Sequence, residues 1–191
     1  MKKRALNLVA VLAIVLGTVA FTNIAEKKEV KTAESKVTWK GYKVTGSHEG
    51  VVDLKSGYLT FEGDQLTGGE FVVDMTSLSS TDLEGEYKGK LDGHLKSDDF
   101  FGVKNHPTSK LVITNVKPTG KNSYEVTGDL TIKEKTNPIT FDLSVYGSKA
   151  TGALKIDRSK YDVRYGSGSF FDNLGDKTIY DEFDLVVDLQ F

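Results

Sequence analysis

A chain of 191 residues with 27 acidic and 25 basic side chains carries a formal charge of −2. It has no basic excess with which to neutralise a phosphate backbone, which excludes nucleic acid as a partner. The absence of cysteine excludes disulfides, thiolate metal sites and a thiol nucleophile, and the length suits one domain with a real core.

The first residues read as an export signal. Lys2, Lys3 and Arg4 precede an uncharged run over residues 5–20, which closes on the small residues Thr18, Val19 and Ala20. A basic start, a short apolar stretch and small residues at its end make a secretory signal peptide; a membrane span needs about 20 apolar residues. Residues 1–20 are therefore expected to be a signal peptide, and the mature protein to be periplasmic or secreted. Cleavage after Ala20 leaves 22 basic against 27 acidic residues, a charge of −5. Residues 21–34 include the charged run EKKEVKTAE, which has no strong apolar period and reads as a tether. The domain is expected over residues 35–191.

From Lys36 onward the pattern alternates with the period of a strand. Val37 and Trp39 alternate with Thr38 and Lys40, and Phe71, Val73 and Met75 with Val72 and Asp74. Tyr124, Val126, Leu130 and Ile132 share a face, as do Ile139, Phe141, Leu143 and Val145. Phe183, Leu185, Val187, Leu189 and Phe191 form the last such row. Weaker strands are expected over residues 44–55, 58–61, 108–117 and 150–157. Gly57, Gly63, Gly68, Gly69, Gly120 and Gly147 punctuate them at turn spacing.

One insert departs from the strand period. Leu83, Tyr87, Leu91 and Leu95 recur every four residues, which predicts one face of a short helix. Thr81 to Glu84 (TDLE) has the form of a capping box. Gly85, Gly89 and Gly93 weaken the helix, and their spacing suits close packing along one stripe.

Eight or nine antiparallel strands, each with one apolar face, form either a sandwich or a barrel. A barrel leaves no edge strand exposed, and eight strands enclose a space that side chains fill or that holds one small ligand. The inward rows supply the candidate lumen: Trp39, Phe61, Phe71, Leu111, Ile113, Val126, Leu130, Ile132, Phe141, Leu143 and Val145. Composition leaves open whether that lumen is packed or hollow.

Catalytic signals are weak. No nucleophile elbow is present. His48, His94 and His106 lack the clustered spacing of a zinc site, so no metal and no cofactor is expected. Asp98 and Asp99 are adjacent, and adjacent carboxylates in a loop more often cap a turn than share acid–base work. Arg158 follows a strand ending at Ile156. It suits either a ligand head group at a barrel rim or an ion pair with a loop aspartate.

The segment HLKSDDFFGVKNHP at residues 94–107 is the least generic stretch of the chain. Together with GDLTIK at residues 128–133 leading to NPITF at 137–141, IDRSKY at 156–161 and DEFDL at 181–185, it resembles the YceI-like family of exported lipid-binding proteins. The opening KVTW at residues 36–39 and the Gly46-Ser47-His48 turn also fit, so the resemblance covers roughly residues 35–191. It implies an all-β fold, an eight-stranded antiparallel lipocalin-like barrel with a short helical insert. It also implies a long-chain isoprenoid or fatty amphiphile as ligand, and no enzymatic activity. His94, Asp98, Phe100 and Phe101 match the family's most recognisable segment and Arg158 its late one, which makes these five the candidate mouth residues.

The expected function is thus a non-enzymatic carrier of a long-chain amphiphile, polyisoprenoid or fatty-amide-like, with a homodimer an allowed assembly. One rival is a small outer-membrane barrel, because the chain closes on alternating apolar residues and Phe191. A second is a hydrolase or isomerase using Asp98, Asp99 and a histidine.

Overall fold

The computed structural model describes residues 25–191; the expected signal peptide lies outside the described residues. Alternation of apolar and polar residues along each strand gives the sheet one buried face, and that face closes on itself. The elements are β1 (Glu26–Glu29), β2 (Lys36–Lys43), β3 (Gly46–Glu62), β4 (Gln65–Ser80), α1 (Gly85–Lys96), β5 (Thr108–Pro118), β6 (Ser123–Ile132), β7 (Lys135–Tyr146), β8 (Lys149–Asp157) and β9 (Glu182–Gln190). The strands run in the order β3-β2-β9-β8-β7-β6-β5-β4, and β4 pairs back onto β3. The result is an eight-stranded closed antiparallel barrel with one short helix.

Residues of the alternating rows are buried in a single core or packed, partly buried, against it. Along β7, Phe141, Leu143 and Val145 are buried, while Thr140, Asp142 and Tyr146 are exposed. The outer face carries Thr, Lys, Asp and Glu, and the apolar face points inward. This is the reverse of a membrane barrel, whose apolar face meets lipid, and it overturns the outer-membrane alternative.

Three glycines expected to mark turns, Gly57, Gly68 and Gly69, lie inside strands. Residues 44–55 and 58–61, expected as two strands, form most of the single long β3. Register shifts between Val51 and Asp53, Leu54 and Ser56, and Thr60 and Phe61 bend it, as bulges do. Gly57 sits within it because a Cβ there would lie 2.6 Å from the Phe71 ring. Gly50 has the same role beside Trp39: a Cβ would stand 2.5 Å from the indole and 2.0 Å from the Ser79 carbonyl oxygen. Gly68 and Gly69 likewise fall within β4. Turns occur where Gly63 and Gly147 take positive φ, 61° and 58°.

Within the charged segment read as a tether, Glu26–Glu29 form β1 against residues 58–61 of β3. Val30 is buried, and its N–H donates to the Gly57 carbonyl at 2.8 Å. The period-free sequence concealed this because a four-residue strand gains its place from backbone pairing rather than from an apolar face. Its charged side chains also protect the exposed edge.

The helix forms and turns Leu91 and Leu95 of the expected face toward the barrel, but not the whole row. Tyr87 is 75 % exposed, and the buried side runs through Lys88, Leu91, Asp92 and Leu95. No side chain caps the helix at Glu84; the Thr81 hydroxyl instead faces the Glu49 carbonyl at 3.4 Å. A Cβ at Gly89 or Gly93 would meet nothing within 4 Å, so these glycines do not serve close packing. Polar contacts fix the helix alongside the packing of Leu91 and Leu95. Asp92 accepts hydrogen bonds from the Ser79 hydroxyl at 2.9 Å, the Ser80 N–H at 2.7 Å and the Ser80 hydroxyl at 2.8 Å.

Candidate functional site

The two halves of the barrel differ. Toward the β3–β4, β5–β6 and β7–β8 turns the interior is filled. Leu59, Phe61, Leu66, Val126, Leu143, Ala150 and Leu189 are all 3 % exposed or less, and the rings of Phe61 and Phe191 lie 5.7 Å apart. Toward the opposite end is a cavity of about 180 Å³.

Its walls come from almost every element. Val37 and Trp39 of β2, Val52 of β3, Val73, Met75 and Leu78 of β4, Leu130 and Ile132 of β6, Ile156 of β8, and Phe183 and Leu185 of β9 line it. Leu91, His94 and Leu95 of α1 close it from above, with Phe100 and Phe101 from the following loop. Tyr42, Lys43, His48, Ile179 and Tyr180 complete the rim.

The HLKSDDFFGVKNHP segment works as a compact turn that aims aromatics inward. The N–H groups of Phe101 and Val103 donate to Leu95 and Lys96 carbonyls at 3.1 and 2.9 Å, and that of Gly102 donates to Ser97 at 2.8 Å. Gly102 takes φ +57°, which favours glycine, and the reversal leaves Phe100 and Val103 buried. Lys133 fastens the loop from across the barrel end. Its ammonium donates to the carbonyls of Phe100 and Asp162, both at 3.0 Å.

The expected lumen residues divide between the halves. Trp39, Leu130 and Ile132 line the cavity. Phe61, Phe71, Ile113, Val126, Phe141, Leu143 and Val145 are buried in the core and Leu111 is partly buried against it, and none of these lines the cavity. Of the expected mouth residues, His94, Phe100, Phe101 and Arg158 come together on the wall. Asp98 does not: it is exposed and accepts from the Asn105 amide at 3.3 Å. Asp99 is exposed beside it, so the structure does not bring the carboxylate pair assumed by the hydrolase alternative to the cavity wall.

Arg158 is 2 % exposed. Its guanidinium donates to the carbonyls of Tyr180 at 3.2 Å, Val163 at 2.8 Å and Ile179 at 3.0 Å. Asp181 stands 3.4 Å away, and the Phe100 ring centroid is 5.3 Å from the guanidinium carbon. Burial lowers the guanidinium pKa, while Asp181 and Asp157 raise it. The ion pair with a loop aspartate is therefore present, and the three carbonyl contacts bind residues 163–181 to the barrel end. His94 is held between aromatic edges, 4.4 Å from Tyr165 and 5.7 Å from Phe100 by ring centroid. Its Nε2 is buried with no hydrogen-bond partner. His48 pairs with Asp82 at 2.8 Å, and His106 lies 3.8 Å from Glu134.

Sequence reasoning missed Lys88, Asp92 and Lys133, which hold the lid and its loop. Burial pushes the Asp92 carboxyl up, but donors from Ser80, Lys88 and Ser79 hold it at about 2. An acidic residue four positions after a lysine was the available signal.

A closed antiparallel barrel with an internal apolar cavity is a lipocalin-like architecture. The YceI-like domain matches residues 29–191, and the chain belongs to the YceI-like family. A UPF0312 protein of Pseudomonas putida (strain W619) is 35 % identical over 91 residues, covering 48 % of this chain and 45 % of its own length; the chain thus spans about half the length of that relative. A UPF0312 protein of Vibrio parahaemolyticus is 28 % identical over 145 residues, covering 66 % of this chain and 74 % of its own. Among solved structures, BcnA of Burkholderia cenocepacia superposes with a TM-score of 0.66 at 26 % identity, over 84 % of this chain and 98 % of its own. A polyisoprenoid binding domain from Saccharophagus degradans shares the fold with a TM-score of 0.57 at 11 % identity, over 84 % of this chain and 95 % of its own.

Proposed function

We propose that this protein is an exported carrier, periplasmic or secreted, that holds one amphiphilic chain, polyisoprenoid or fatty-amide-like, in the hollow half of its barrel. The observation that carries the reading is the cavity of about 180 Å³ lined almost wholly by apolar side chains and roofed by α1. The family assignment and the fold shared with a polyisoprenoid binding domain support a binding protein rather than an enzyme.

Physics sets what the cavity does. An engineered cavity of about 150 Å³ lined by Leu, Ile and Phe stays dry and admits benzene. The space here therefore seats a short stretch of chain as it stands, on the order of six carbons. At about 0.8 kcal/mol per buried methylene that stretch contributes roughly 5 kcal/mol before ordering costs. A longer chain displaces the half-buried Leu91, Phe101 and Phe183 or emerges past the rim.

The test is native mass spectrometry of purified protein with extraction of the bound lipid, followed by titration with alcohols of increasing chain length. Trp39 is the sole tryptophan and lines the cavity, so its fluorescence reports occupancy. A co-purifying chain, and affinity that climbs with chain length, support the reading. No lipid and no chain-length dependence overturn it.

A further inference from the structure

We infer that Gly41 is the outlet of the cavity: its missing side chain leaves a gap on the inner face of β2, and a bound chain too long for the cavity runs through that gap to the rim. The inference rests on the carrier reading and names the residue that sets how long a chain the carrier accepts.

Val37, Trp39, Gly41 and Lys43 follow one another on a single face of β2, and all four line the cavity. Gly41 is the one glycine among the described wall residues. A Cβ built on it would meet nothing within 4 Å. The row of side chains is thus interrupted between Trp39, inside the cavity, and Lys43, at the β2–β3 turn. Across the ladder Gly41 pairs with His48, itself a wall residue, and the bond from His48 to Asp82 at 2.8 Å fixes that bank of the gap.

Glycine in a strand interior costs stability, because it packs nothing and has more backbone freedom to lose. Such a residue marks a bulge, a backbone bend, or the close approach of another group. β2 keeps continuous register with β3 from Val37 to Lys43, so Gly41 sits at no bulge. Its φ is not positive, so its backbone is open to other residues. No protein atom approaches it. Gly50 shows the contrast: there the Trp39 indole and the Ser79 carbonyl oxygen fall where a Cβ would stand. The group that approaches Gly41 is then one the protein does not itself supply. The cavity holds on the order of six carbons. A longer chain has to leave it, and at Gly41 it leaves without displacing a side chain.

The experiment titrates the full chain, unaltered and as Gly41→Ala and Gly41→Val, with two primary alcohols. Hexanol fits within the cavity and dodecanol does not. Isothermal titration calorimetry is the readout, since a substitution beside Trp39 alters its fluorescence. Dodecanol should bind the unaltered protein more tightly than hexanol. Gly41→Val should cut the dodecanol-to-hexanol affinity ratio about tenfold, the worth of about two buried methylenes, with hexanol affinity unchanged. Gly41→Ala should cut it less. Melting should hold or rise in both variants, because valine and alanine restrict the unfolded chain more than glycine does and the added atoms meet open space. An unchanged ratio in Gly41→Val, whether both affinities hold or both fall together, overturns the inference while leaving the carrier reading intact. If the unaltered protein binds neither alcohol, the carrier reading fails and takes the inference with it. Should Gly41→Val lose its melting transition, Gly41→Ala decides by the same ratio.

Discussion

Asp92 receives two hydrogen bonds from Ser80, one from its N–H at 2.7 Å and one from its hydroxyl at 2.8 Å, and this pair fastens the roof of the cavity to the end of β4. Asp92→Asn keeps the size of the side chain and removes its charge. A loss of about 1–3 kcal/mol in urea-unfolding free energy is expected. The acid dependence follows from the sign of the shift. The Asp92 carboxyl sits at about 2 in the folded chain against an ordinary 3.8, so its contribution is full above about pH 4 and fades as pH falls through about 2. The Asn variant should show a flatter stability profile across that window; a parallel profile would show that the clamp does not act through ionisation.

Arg158→Ala should be among the most destabilising single changes in the chain. It strands three carbonyls and leaves Asp181, whose Oδ1 already lacks a hydrogen bond, without its counter-charge. Removing one partner of a buried pair costs about 3–5 kcal/mol. Thermal unfolding in the presence and absence of ligand measures this. The same loss in both states marks a structural residue, whereas a loss seen only with anionic ligands would return Arg158 to head-group recognition.

The hollow and filled halves should answer truncation differently. Phe141→Ala opens a void in the packed half and should cost about 3–5 kcal/mol while leaving chain binding nearly unchanged. Ile132→Ala enlarges an existing cavity. It should cost nearer 2 kcal/mol, the low end for such changes, and shift the preferred ligand toward longer chains. Equal chain-length preferences in the two variants would mean that the halves communicate through one continuous lumen.

Export is tested at the N-terminus. N-terminal sequencing of protein collected outside the cytoplasm should begin near Phe21, and a product that keeps Met1 and sediments with membranes would refute cleavage.

Much of the barrel was legible in the sequence because a period of two has one geometric meaning: Phe141, Leu143 and Val145 alternate, and they are buried. Alternation says nothing of height along the barrel axis, so Ile132 and Phe141 look alike in sequence although one faces the cavity and the other fills the packed half. Gly57 was misread because a glycine demanded by a neighbouring ring, here Phe71, is indistinguishable in sequence from one demanded by a turn. The helix was legible, and Leu91 and Leu95 face inward as their spacing implies, but the exposure of Tyr87 was not, because the hydrogen bonds that tie Asp92 to β4 leave no apolar pattern. At the site, the aromatic loop announced itself through its composition. The committed state of Arg158 did not, because its partners are carbonyls of residues 163–180, and backbone groups carry no sequence signal.

Because one half of the barrel is filled by Phe61, Leu59 and Phe191 and the other is hollow, the interior is a vessel with a single door. Whatever enters past α1 and the rim leaves by the same route, and no second molecule can push the first out from behind. On the carrier reading, turnover of a bound chain is then governed by how often the door opens rather than by how strongly a competitor binds. If the protein carries a chain as proposed, donor and acceptor are visited one after the other, each by the same end of the molecule.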